Sequence, residues 1–156
     1  MTDQRPAILF VCLGNICRSP LAEAAFRARA DKAGLDVTID SAGTGDWHVG
    51  GPPDHRAQAT AKRHGIDISG YRARQVATED FIRFTHIFAL DCDNLANLRQ
   101  LVPAGSSASV GLLLDLIPGM VGQPVADPYF GDEAGFEVTW SEVDRAAQAL
   151  VETLSG

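Results

Sequence analysis

The sequence predicts a parallel α/β domain, one sheet with helices on both faces. Three observations carry it. Short apolar strands alternate with helical patterns, the first strand ends in a thiol just before a capped helix, and the C-terminal residues repeat at helical spacing. A chain of 156 residues suits a single domain with one core over residues 1–156.

The elements follow in order. Ala7 to Val11 (AILFV) reads as a short strand buried on both faces. Ser19 is expected to cap the next helix, with Pro20 at the first helical position, where a missing N–H costs nothing. That helix runs through LAEAAFRARADKA and stops at Gly34. Val37 to Ala42 makes a second strand, followed by the Gly- and Pro-rich GTGDWHVGGPPD. A helix covers His55 to His64, and a short one begins at Thr78. HIFAL is the third strand, Asp91 to Leu101 a helix, and VGLLL the fourth strand. The stretch from Asp115 to Gly135 has no periodicity over about twenty residues, a length that compact domains keep for functional or disordered loops. Phe136, Trp140, Val143, Ala147, Leu150, Val151 and Leu154 mark a C-terminal amphipathic helix.

Bulk properties exclude several classes. A formal charge of −7 argues against nucleic acid, so an anionic ligand needs a local positive field. No apolar run is long enough for a bilayer and no basic-then-apolar leader is visible, so the expectation is a cytoplasmic protein without a membrane partner. Three cysteines, Cys12, Cys17 and Cys92, form an odd set that fits a reducing compartment. Four histidines without ligand spacing predict no metal and no cofactor.

The chemistry concentrates in CLGNICRS, residues 12–19. Cys12 ends a strand and Arg18 begins a helix, with Gly14 and Asn15 between them to let the backbone turn its N–H groups inward. Arg18 offers a planar fork for two oxygens of a phosphate. The same donors stabilise a thiolate, so nucleophile and anion cradle coincide. A cysteine closing an apolar strand also reads as core, and C-x5-R recurs by chance. Its placement between strand end and helix start favours a site.

VCLGNICRSPLAEAAF resembles the signature of the low-molecular-weight protein tyrosine phosphatases, and DSAGTGDWHVGGPPD, KRHGIDISGYRARQV, DFIRFTHIFALD and DPYF extend the likeness in the family's order. The resemblance implies a four-stranded parallel sheet, no metal, and hydrolysis of phosphotyrosine through a phosphocysteine. It makes Cys12 the nucleophile, Arg18 the phosphate-binding arginine and Asp127 the general acid. Leu13, Gly14, Asn15, Ile16 and Cys17 become the phosphate-binding loop, and Ser19 a bond to the sulfur. Asn15 and Ser41 would brace that loop, with Asp91 supporting it or simply capping the next helix. Many relatives carry histidine where this chain has Tyr71. Either the bracing network lacks a partner there or the Tyr71 hydroxyl supplies one.

Trp47, Tyr129 and Phe130 are aromatic residues on loops, and the resemblance puts Trp47 and Tyr129 at the mouth; Phe130 either joins them or packs its own loop. A deep cup with aromatic walls favours aryl phosphates over short serine esters. Phosphate, vanadate and sulfate are the expected inhibitory anions. Cys12 and Cys17 lie close enough in sequence for a reversible disulfide under oxidation, the alternative being a buried Cys17 without a redox task. Two rival functions differ in kind. Arsenate reduction needs relay thiols, of which only Cys92 is available; a silent phosphotyrosine-binding module would not need Asp127.

Overall fold

The computed structural model describes residues 5–129 and 132–155. Four parallel strands, β1 (Ala7–Cys12), β2 (Thr38–Gly43), β3 (His86–Ala89) and β4 (Ser109–Leu112), form one sheet in the order β2-β1-β3-β4. The helices are α1 (Arg18–Lys32), α2 (His55–Arg63), α3 (Asp80–Arg83), α4 (Cys92–Leu101) and α5 (Glu133–Ser155). None is long and apolar enough to cross a membrane.

Alternation along β1 divides the interior in two. Ile8, Phe10 and Cys12 face the core shared with Leu21 and Phe26 of α1, Ala57 of α2, and Phe136, Trp140 and Leu150 of α5. Ala7, Leu9 and Val11 face the smaller core of Phe81, Phe84 and Leu98. Every residue of β1 is buried, so the strand reads as an unbroken apolar run. Its last residue, Cys12, therefore reaches the C-terminal edge of the sheet at its centre, on the face that α1 covers.

Four expectations shift. Cys17, not Ser19, caps α1, and no side chain bonds the cap; Ser19 lies inside the first turn. The second strand runs one residue later at each end than expected. The fourth strand ends at Leu112 because Leu113 and Leu114 turn in a 3-10 segment (Leu113–Leu116) and bury against the opposite core from Leu112. The short helix starts at Asp80, two residues after Thr78. The first half of α1 is also not amphipathic: every residue from Arg18 to Phe26 is buried, enclosed by the sheet, α2 and α5.

Candidate active site

The segment from Leu13 to Cys17 joins the end of β1 to the start of α1, and its curvature depends on Asn15. At φ 58° Asn15 is the one non-glycine residue with positive φ among the described residues. Asparagine tolerates that conformation better than most residues, and its side chain is tied on both ends. The Oδ1 atom accepts from the Arg74 backbone N–H at 3.0 Å. The Nδ2 group donates to Ser19 Oγ at 2.8 Å and to Ser41 Oγ at 3.0 Å.

This pattern orients the whole network. A backbone N–H can only donate, so Arg74 fixes which end of the Asn15 amide is the oxygen. The Nδ2 group then occupies acceptor positions on both hydroxyls, leaving the Ser19 proton for Cys12 Sγ, 3.0 Å away. The Asn15 N–H adds a second donor to the sulfur at 3.3 Å. Ser41, in turn, donates to Glu23 Oε1 at 2.7 Å. Two donors thus converge on a buried sulfur.

Glu23 escaped the sequence reading. It lies one turn after Ser19 in LAEAAF and looks like a solvated helix position; its i,i+4 pairing with Arg27 was the available signal. In the fold it is buried, and burial pushes its carboxyl above the usual value, opposed by the bonds from Ser41 and Arg27. Tyr71 sits beside it. Burial, with the Glu23 charge, pushes the phenol up to about 12, while Arg27 acts the other way. Tyr71 shares a cavity of about 80 Å³ behind the loop with Asn15, Glu23 and Ser41, but the bonds that close the bracing network come from Glu23 and Arg74.

Arg18 is buried yet aimed at the loop's concave side. Its NH2 group pairs with Asp91 Oδ2 at 2.9 Å and stands 3.6 Å from Asp127 Oδ2, and NH1 donates to the Val125 carbonyl at 3.2 Å. Asp91 also accepts from the Asn94 N–H at 2.7 Å, so the carboxylate that pairs with Arg18 is at the same time the N-cap of α4. Cys12, Cys17, Arg18 and Asp127 line one cavity of about 280 Å³ together with Leu13, Gly14, Ile16, Trp47, His48 and Tyr129; of these, Leu13, Trp47 and Tyr129 are the exposed apolar and aromatic side chains at its rim. The Asp127 side chain is about half exposed there, and Oδ1 accepts from the Tyr129 N–H.

Two mouth contacts were not expected. The His48 ring lies against Gly14, where a Cβ would come within 3.1 Å of its Cδ2. The Arg56 guanidinium stands over the Tyr129 ring at 5.6 Å, and its bonds to Asp54 hold that carboxyl below the usual range. Phe130, the third expected wall, falls outside the described residues.

Residues 7–156 match the model of the family described as low molecular weight phosphotyrosine protein phosphatase. The phosphatase of that name from Schizosaccharomyces pombe is 49% identical over 151 residues, 95% of this chain and 96% of its own. A crystal structure of a protein tyrosine phosphatase from Entamoeba histolytica, with Hepes in the active site, superposes with a TM-score of 0.90 at 34% identity, covering 96% of this chain and 97% of that one. DARP, a drosophila arginine phosphatase, has the same TM-score at 31% identity over 96% of this chain and 98% of its own. A thiol, a guanidinium and a carboxylate converging on one cup, together with likeness along almost the full length, place this chain in the low molecular weight phosphotyrosine protein phosphatase family.

Proposed function

We propose that the chain hydrolyses phosphotyrosine and other aryl phosphate monoesters in two steps, with Cys12 as nucleophile. The supporting observation is the directed hydrogen-bond network, which spends the Ser19 proton and the Asn15 N–H on the sulfur in the cavity that Arg18 also lines. The Cys12 thiolate attacks phosphorus while Arg18 and the loop N–H groups hold the equatorial oxygens. Asp127 gives its proton to the bridging oxygen as the phenolate leaves, then takes one from the water that attacks the phosphocysteine. Water's oxygen ends on phosphate and the sulfur leaves as thiolate.

The mouth favours a phenyl ring. Leu13 and Ile16 are apolar, and Trp47 and Tyr129 supply faces for stacking. A phosphoguanidinium, the group implied by the name of one structural relative, would bring a polar planar group to the same surface, where Asp127 is the only acidic lining side chain among the described residues. The deciding experiment compares kcat/KM for matched peptides bearing phosphotyrosine, phosphoarginine or phosphoserine, with p-nitrophenyl phosphate as reference. Phosphotyrosine should lead by tenfold or more, at about the level one pocket can discriminate. Equal rates on all three would overturn the aryl preference. Loss of all turnover in Cys12→Ser, and a selective loss on poor phenol leaving groups in Asp127→Ala, are the expected signs of the two roles.

The same reading carries a redox arm. Cys12 and Cys17 are both buried thiols lining one cavity, and an oxidant converts Cys12 to a sulfenic acid that Cys17 attacks, forming the disulfide and releasing water. Peptide mapping after mild peroxide should recover the Cys12–Cys17 link. Phosphate, vanadate and sulfate compete for the cup, a tyrosine-phosphorylated protein is the partner, and the cytoplasm, which keeps thiols reduced, is the working compartment.

A further inference from the structure

Leu13 and Trp47 each line two hollows. One is the active-site cavity; the other is a groove of about 290 Å³ completed by Thr44, Gly45, Asn97, Gln100 and Leu101. The two spaces therefore share one wall. Leu13 is 50% exposed, Trp47 70% and Leu101 42%, three large apolar side chains bordering one groove rather than scattered singly.

Trp47 is held in place despite its exposure. A Cβ on Gly45 would stand 1.8 Å from the indole ring, so the ring rests against glycine backbone that only a missing side chain makes available. The Gly45 N–H donates to the Leu13 carbonyl and the Thr44 N–H to the Cys12 carbonyl, both at 2.9 Å. The partition between cavity and groove is thus bonded directly to the loop that carries the nucleophile. On the opposite bank, Asn97 and Gln100 are exposed on α4. Their amides both donate and accept, as the backbone of an extended peptide requires. Among the described residues the groove lining carries no charged side chain.

We propose that this groove is the subsite for an apolar side chain flanking the phosphotyrosine, with the peptide backbone bonded to the Asn97 and Gln100 amides. The inference rests on the phosphatase reading above and deepens it by naming the preferred sequence context. A peptide leaving the cavity across Trp47 enters the groove at once, because Leu13 and Trp47 line both spaces. The two spaces meet only along these shared residues among the described ones, so the preference belongs to one side of the phosphotyrosine.

The test is competition in one tube between phosphotyrosyl peptides that differ at a single flanking position, leucine against glutamate, scanned over three positions on each side and read by mass spectrometry. The leucine peptide should be consumed about tenfold faster at one side, the discrimination one apolar side chain confers. In Leu101→Glu that ratio should fall to one or invert, and in Leu101→Ala it should fall partway. Both peptides meet the same enzyme molecules, so the ratio does not depend on how much of a variant is folded. A ratio of one at all six positions in the unaltered protein overturns the subsite, as does a ratio unchanged in both Leu101 variants. Hydrolysis of p-nitrophenyl phosphate by the unaltered protein separates these failures from failure of the phosphatase reading, which its absence would overturn together with the subsite.

Discussion

Cys17 and Cys12 share a cup but differ in what surrounds them. Burial, then the charges of Asp54, Cys12 and Asp127, push the Cys17 thiol up to about 12, with Arg56 opposing. It keeps its proton at neutral pH and is a poor nucleophile there. At pH 7.5 iodoacetamide should modify exposed Cys92 at least about a hundredfold faster than Cys17, as read by peptide mass mapping. Because the folded value exceeds the ordinary 9.0, the stabilisation from this thiol is complete below pH 9 and is lost as pH rises towards 12. Glu23 follows the same sign in another window. Its folded value lies above the ordinary 4.5, so the folded state binds the proton more tightly, and the group's contribution to stability fades as pH rises from there. Arg27, Asp40 and Tyr71 are the titratable or charged groups around it. Melting curves from pH 4 to 7 should show Glu23→Gln gaining relative to the unaltered protein as pH increases, by about 1.4 kcal/mol for each pH unit of displacement. Parallel curves would remove Glu23 from this role.

At the scale of elements, the end of β2 is pressed against the catalytic loop. A Cβ on Gly43 would stand 2.8 Å from the Leu13 carbonyl oxygen and 3.2 Å from the Asn15 nitrogen, both backbone atoms that cannot swing aside. Gly43→Ala should therefore keep the fold, with a melting temperature lower by about 5 °C from overpacking. Displacement of the loop should cut kcat/KM on p-nitrophenyl phosphate by roughly a hundredfold, the cost typical of an ångström of misplacement. A variant of unchanged activity would show that the loop is set by the Asn15 bonds alone. These dependences also explain what could be read from the chain. Cys12, Arg18 and the strand-loop-helix around them are local, so their pattern was visible in seven consecutive residues. The cap was misassigned to Ser19 because its hydroxyl serves the sulfur, a demand from outside the helix. Glu23, the Arg74 N–H and the Val125 carbonyl were hidden because each meets its partner only after the chain has crossed the sheet: Arg74 lies 59 residues from Asn15, and Val125 lies 107 from Arg18. Asp91 was legible as a cap, and its ion pair with Arg18 awaited the β1–β3 pairing that brings the two strand ends together.

Across the whole molecule the charge is −7, yet the cup holds a buried guanidinium, Arg18. An anion that binds only the folded state raises stability by about 2.7 kcal/mol at a hundred times its Kd. For a domain of this size phosphate at that excess should raise the melting temperature by roughly 5–10 °C. Arg18→Ala should lose most of that rise, whereas the shift from an inert salt of equal ionic strength should be the same in both proteins. An equal phosphate shift in the two would place the anion elsewhere.

The guanidinium clamp has a consequence for synthesis on the ribosome. The Cys12 loop emerges early, but the groups that fix Arg18 arrive at Asp91 and Val125, and Asp127 follows only after four strands have paired. The buried first half of α1 also needs α5, which follows it by about a hundred residues, to shield it from water. A chain in which α5 is not yet docked therefore exposes the apolar half of α1 and leaves the Cys12 loop without the packing behind it.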